Sequence, residues 1–302
     1  DWGKTAVPVG NDRVNEGWRR KICEWSFEVV DHFGFDREVV SIALNYLDRI
    51  LAMKTQLSGE PVPRREFQLV AVTSLYLATK LHGETDDANG PRRKLKLTAY
   101  VELSRGLFSV DTIESTEQVI LEELHWRLNP PSTVRFVDMY VKFLPQFPAN
   151  NNLPPYVTVS NSYFEMARYL TELSVCASRF NFMFDLKPSL IAYSAMLCAI
   201  DSLMSKIPLP YDLRLEFLNK LAQATSYTPT QAKVRQCKKL LKELCPQAFN
   251  DCADEPTLVR TSSISSTQAY EEEMPTTGKT SPVCVIDELQ SLSPEKRRRT
   301  NR

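Results

Sequence analysis

The sequence predicts an all-α protein made of two tandem five-helix folds followed by a disordered C-terminal tail. Three observations carry this. Apolar residues recur at three-to-four-residue spacing in successive segments, the pattern of helices that bury one face. A composition with 43% hydrophobic residues and only 9 glycines in 302 residues fits helical cores and not a Gly-rich β protein. From about Asn250 onward large apolar residues become sparse, so no core can offset the chain entropy there.

The first helix is expected over Asp12–Phe33, with Ile22, Trp25, Val29 and Phe33 on one face. Gly34 stands where a helix C-terminus favours glycine. Asp36 can cap a second helix running to about Lys54, with Val39, Val40, Ala43, Leu44, Leu47 and Leu51 facing inward. The break Ser58–Pro63 precedes a third helix, Arg64–His82, which is apolar on nearly every side. A helix of that kind belongs in the middle of a domain. An acidic loop, Thr85–Pro91, and the basic run Arg92–Lys94 follow. A short fourth helix is expected near Ala99–Arg105 and a fifth over Asp111–Leu128, ending before Asn129-Pro130-Pro131. The second set is expected at Val134–Leu144, Pro155–Phe180, Pro188–Lys206, Tyr211–Ala224 and Thr230–Leu244. The domains so defined are 1–131, 132–249 and a regulatory tail over 250–302.

Composition also narrows the function classes. Lys and Arg number 37 and so do Asp and Glu, which argues against a general nucleic-acid binder with its basic face. The 7 cysteines form no C-x-x-C pair and only 3 histidines are present, so neither a zinc site nor a disulfide framework is expected. A reducing compartment fits that pattern, with Cys23, Cys176 and Cys198 as core thiols. No apolar run reaches the ~18 residues that span a membrane, and no secretory signal opens the chain. The chain begins at Asp1 and not at Met, which leaves room for a preceding segment, where any destruction box would lie. There is no Gly-rich phosphate loop and no G-x-S-x-G, and His32, His82 and His125 have no evident catalytic partners. Neither an enzyme nor a bound cofactor is expected.

Specific stretches resemble the cyclin family. Leu44-Asn45-Tyr46-Leu47-Asp48-Arg49-Ile50-Leu51 is similar to that family's second-helix signature. Phe67-Gln68-Leu69-Val70 through Leu77-Ala78-Thr79-Lys80 is similar to its third helix. Glu117 with Ile120, Leu121, Leu124, Trp126 and Leu128 is similar to its fifth. The likeness covers about Trp18–Pro131 and extends more loosely to Leu244. It implies a buried ion pair between Arg19 and Asp48, helix-packing roles for Leu69 and Ala78, and a kinase-contacting pair at Lys80 and Glu117. Leu81, Leu121, Trp126 and Leu128 would add apolar contact beside that pair. The implied partner is a cyclin-dependent protein kinase, bound as a heterodimer and switched on by it, with no nucleic acid and no membrane involved.

The resemblance also maps a substrate- or inhibitor-docking groove onto Trp25, Glu28, Arg64, Phe67 and Gln68. Arg20 and Lys21 depart from the family there. They place positive charge where apolar residues are common and should repel an Arg-x-Leu peptide. Trp25 and Phe67 are otherwise plain core residues. The loop after Lys80 is also longer than in many cyclins, and a D-like or lineage-specific cell-cycle type fits better than the A or B types. In the tail, Ser293-Pro294-Glu295-Lys296 and Ser281-Pro282 fit proline-directed phosphorylation. Lys296–Arg299 resembles a nuclear import signal, so nuclear and cytoplasmic residence is expected. The alternative with the same double fold is a general transcription factor of the TFIIB type. It should carry basic helices and a zinc ribbon, and neither is seen.

Overall fold

Ten α-helices and no strand form among the described residues of the computed structural model, which are 16–58, 62–83, 95–147, 154–177, 180 and 186–252. The first five are α1 Glu16–Phe33, α2 Glu38–Ser58, α3 Arg64–His82, α4 Leu97–Leu103 and α5 Val110–Glu123. The second five are α6 Thr133–Val141, α7 Tyr156–Cys176, α8 Pro188–Leu203, α9 Tyr211–Thr225 and α10 Ala232–Leu244, followed by a short 3-10 helix, Pro246–Cys252. Residues 12–15, expected in the first helix, lie outside the described residues, as does the tail over 253–302.

Each set wraps one helix that is buried on all sides. In α3, Val70–Leu75 and Leu77–Thr79 are buried without interruption, and the helix packs against α2, α4 and α5. In α8 every residue from Leu190 to Ile200 is buried, and α6, α7 and α10 surround it. Burial of each Leu, Ile, Val or Phe stabilises by about 1.5–3 kcal/mol, so these two helices anchor their cores.

The helix ends follow local chemistry. Gly34, at φ +72, closes α1: its N–H donates to Asp31 O at 3.3 Å, and the Phe35 N–H donates to Val30 O at 2.9 Å. This crossed pair needs a left-handed residue, which glycine adopts at no steric cost. Asp36 caps α2 through a 2.7 Å bond from the Glu38 N–H. The second helix outruns its expected end at Lys54, because nothing in Thr55-Gln56-Leu57 breaks it and Lys54 Nζ holds Glu66 Oε1 of α3 at 2.6 Å. Ser109 and Ser132 cap α5 and α6, each accepting an N–H at 3.2 Å. Three expected ends in the second set are shorter in the structure, α6 stopping at Val141 and not at Leu144. Helix α7 stops at Cys176, where Ala177 turns to extended backbone, and α8 stops at Leu203.

The two folds meet along α1, α2 and α7. Val175 and Cys176 of α7 pack against the first core. Glu38 Oε1 accepts from both Ser132 Oγ and Arg135 Nε at 2.7 Å, tying the start of α2 to the start of α6. Of the expected core thiols, Cys23 and Cys198 are buried and Cys176 is half-buried, and Cys237 joins the second core.

Candidate functional site

Lys80 and Glu117 come together at the edge of the first core. Lys80 is the first exposed residue after the buried run of α3, and Glu117 sits midway along α5. Lys80 Nζ donates to Glu117 Oε1 at 2.9 Å and to Oε2 at 3.2 Å. The Glu117 side chain is only 10% exposed, whereas that of Lys80 is 49% exposed. The Lys80 ammonium also lies 5.4 Å above the Tyr76 ring, which supports it from below. The hydrogen bond to Glu117 raises the Lys80 pKa against a smaller opposing effect of burial, so the ammonium stays charged. A half-exposed pair of this kind contributes about 1 kcal/mol or less to folding. Its larger potential is in recognition. The carboxylate oxygens keep acceptor capacity beyond Lys80, and the half-exposed ammonium stands at the surface.

Apolar groups stand next to the pair. Leu81 follows Lys80 and is 47% exposed, and Leu121, one turn beyond Glu117, is half-buried. The fifth helix ends at Glu123 and not at the expected Leu128, so Trp126 and Leu128 are not helical. The reason is a crossed closure like that of α1. The His125 N–H donates to Glu122 O at 2.9 Å and the Trp126 N–H to Leu121 O at 3.0 Å. His125 and Trp126 both adopt left-handed backbone, at φ 50 and 58, without being glycine. Each such residue costs roughly 1–2 kcal/mol. The result is a Trp126 side chain 70% exposed.

Three side chains that sequence reasoning did not assign hold this turn. Arg49 of α2 donates through Nη1 to Arg127 O at 2.9 Å. Tyr46 donates its hydroxyl to Leu128 O, and burial pushes the pKa of that phenol up, which keeps it a donor. His82 Nε2 lies 2.9 Å from the same carbonyl. Tyr46 and Arg49 flank Asp48 in the second-helix signature and were the available signal.

Arg19 and Asp48 form a fork. Arg19 Nε and Nη2 meet the two Asp48 oxygens at 2.9 and 2.8 Å, and both side chains are 8% exposed. The third guanidinium nitrogen, Nη1, donates to Val175 O of α7 at 2.7 Å, so the pair also joins the two folds. Burial opposes the charge on Arg19, but Asp48 outweighs it and holds the pKa above the ordinary arginine value.

The residues mapped to a docking groove lie at different depths. Trp25 and Phe67 have no exposed surface, Gln68 is buried, Arg64 is half-buried and Glu28 is exposed. Trp25 Nε1 and Gln68 Nε2 are buried donors without an acceptor among the described residues. Trp18 packs at a tilt against Phe67, with the ring centroids 5.8 Å apart. Arg20 Nε binds Glu24 at 2.8 Å and Lys21 Nζ lies 3.5 Å from the same carboxylate, so the two added cations are partly neutralised within α1. The loop over 84–94, Ser281, Ser293 and Lys296–Arg299 lie outside the described residues. Among the described residues no group of three His, Cys, Asp or Glu side chains is placed to hold a metal ion, and no helix is long and apolar enough to cross a membrane.

Comparison with known proteins matches both halves. The cyclin N-terminal domain matches residues 5–129 and the cyclin C-terminal domain matches residues 131–270. The chain belongs to the cyclin family. It is 26% identical to cyclin-B1-1 of Arabidopsis thaliana over 80% of this chain and 47% of that protein. It is 25% identical to cyclin-D3-2 of the same plant, over 79% of this chain and 58% of the relative. The G1/S-specific cyclin-D2 of Rattus norvegicus is 28% identical over 67% of this chain and 62% of its own length. The chain thus spans about half the length of the curated relatives it matches. Among solved structures, a viral cyclin from herpesvirus saimiri aligns with a TM-score of 0.53 at 16% identity, covering 80% of this chain and 90% of that one. At that identity the likeness speaks for the fold.

Proposed function

We propose that this chain is the regulatory subunit of a cyclin-dependent Ser/Thr protein kinase, which it binds and activates to control cell-cycle progression. The observation that carries this reading is the Lys80–Glu117 pair, with exposed Leu81 next to Lys80 in the chain and half-buried Leu121 one turn beyond Glu117. A buried carboxylate, an exposed ammonium and apolar side chains fixed on a rigid helical core form an anchor for a partner helix and its flanking backbone. A kinase requires its β3 lysine paired with the glutamate of its C-helix before phosphoryl transfer. A surface that binds the inward position of that helix more tightly than the outward one shifts the kinase toward the active state. The contact surface belongs to the domain ending near residue 131. Residues 132–249 support it through α7, and the tail over 250–302 carries regulation. Phosphorylation at Ser281 and Ser293 and import through Lys296–Arg299 place the protein in nucleus and cytoplasm under this reading. Imaging the tagged chain with and without Lys296–Arg299 tests that placement, and unchanged nuclear signal contradicts it.

The tagged chain should capture a cyclin-dependent kinase from cell extract, identified by mass spectrometry, and the captured fraction should phosphorylate histone H1. Capture of DNA or transcription proteins without a kinase would instead support the TFIIB-type alternative.

Docking of substrates or inhibitors on α1 and α3 is expected to be weak, because Trp25 and Phe67 are sealed in the core and Arg20 and Lys21 face a basic peptide. An Arg-x-Leu peptide should show no saturation below about 100 μM by calorimetry. Low-micromolar affinity would overturn this expectation.

A further inference from the structure

Two thiols meet where the folds touch. Cys23 lies on α1, one turn beyond Arg19, and is fully buried, while Cys176 is the last residue of α7 and is half-buried. Their sulfurs are 2.8 Å apart although the residues are 153 positions apart in sequence. A disulfide needs about 2.05 Å, so closure requires a movement of under about 1 Å. The two backbones are already held together, since Arg19 Nη1 binds the carbonyl of Val175, the residue before Cys176.

We propose that Cys23 and Cys176 form a redox modification site, closing a reversible disulfide that ties α1 of the first fold to α7 of the second. Cys176 is the attacking thiol. The hydrogen bond from Cys23 pushes its pKa down, burial and Glu24 act the other way, and Arg19 and Arg20 lower it further. Burial pushes the Cys23 thiol up, so Cys23 remains the protonated partner. Thiolate character and access decide which cysteine reacts first, and both favour Cys176.

The oxidant class is a peroxide. The Cys176 thiolate attacks one peroxide oxygen. The S–O bond forms, the O–O bond breaks, and the leaving hydroxide takes a proton to become water. The product is a Cys176 sulfenic acid. The Cys23 sulfur then attacks the Cys176 sulfur, the S–S bond forms, and the hydroxyl leaves with the Cys23 proton as a second water. Two thiols and one hydrogen peroxide thus give one disulfide and two waters, with two electrons passing from sulfur to oxygen. A dithiol reductant reverses the step by exchange. Transient disulfides of this kind are the form found in reducing compartments.

The sequence makes the test direct. Trypsin places Cys23 in Ile22–Arg37 and Cys176 in Tyr169–Arg179, each peptide holding a single cysteine. The whole purified chain is treated with hydrogen peroxide, quenched with N-ethylmaleimide, digested without reductant and read by mass spectrometry. The expected result is the linked pair of peptides, lost on dithiothreitol treatment, with the melting temperature of the oxidised chain about 5–10 °C above the reduced one because so long a loop is closed. Cys23→Ala should instead accumulate a dimedone-reactive sulfenic acid at Cys176. The proposal is overturned if both peptides carry only maleimide after oxidation, if Cys176 links to a different cysteine, or if linkage is no faster in the folded chain than in urea.

Discussion

Replacing Asp48 with Ala should lower the stability of the purified chain by about 3–5 kcal/mol and its melting temperature by about 10 °C or more. The size follows from what remains. Arg19 is 8% exposed and cannot leave the interior, and two of its three binding nitrogens lose their acceptors. Its one surviving partner, Val175 O, is a neutral carbonyl and does not compensate a buried positive charge. The intact pair itself adds little net stability, because its attraction roughly repays the desolvation of two ions. Asp48→Asn, which keeps the shape and one acceptor, should cost less than Asp48→Ala. Because Arg19 reaches α7, the loss should extend to the second fold. Faster alkylation of Cys176 in Asp48→Ala than in the wild type would report it. Urea unfolding of both variants measures the effect, and a shift of under about 2 °C for Asp48→Ala would mean that Arg19 finds water or another acceptor.

The fold could be read from sequence where burial was complete or punctuation explicit. Helix α3 showed as apolar on nearly every side because α2, α4 and α5 pack around it, whereas the complete burial of α8 was not read from sequence. Gly34 marked its helix end because the left-handed residue there was a glycine. At α5 the same closure is made by His125 and Trp126, and no local signal separates them from helix, so the expected helix ran on to Leu128. What bends the chain there is tertiary: Arg49, Tyr46 and His82 bind the carbonyls of the turn. Pair partners were accessible only through resemblance. Nothing in spacing places Lys80 against Glu117 across 37 residues, or Arg19 against Asp48 across 29. The third partner of Arg19 and the contact of Cys23 with Cys176 cross from one fold to the other, and no sequence pattern carries that information. Depth was also hidden. Trp25 and Phe67 read as groove floor through the resemblance and as plain core otherwise, and only packing puts them at zero exposure.

Glu117→Ala should leave the fold intact and remove kinase binding. The folding side rests on Lys80, whose side chain is 49% exposed and can return its ammonium to water when the carboxylate is gone. The melting temperature should therefore stay within about 3 °C of wild type. Lys80→Ala is the less gentle change, because it leaves a carboxylate 10% exposed with its cation removed, and it should destabilise more than Glu117→Ala does. The double change, which deletes both charges, should recover part of that loss. On the binding side the order differs. Truncating one member of a desolvated, hydrogen-bonded charge pair at an interface costs about 2–5 kcal/mol, or roughly 30- to 4,000-fold in affinity. Both single variants should fall below detectable kinase capture, and the double variant should not recover it. That divergence, with stability partly restored and binding not restored, separates a recognition pair from a structural one. If Glu117→Ala instead lowers the melting temperature as far as Asp48→Ala, or captures kinase as well as wild type, Glu117 serves the core and the partner surface lies elsewhere.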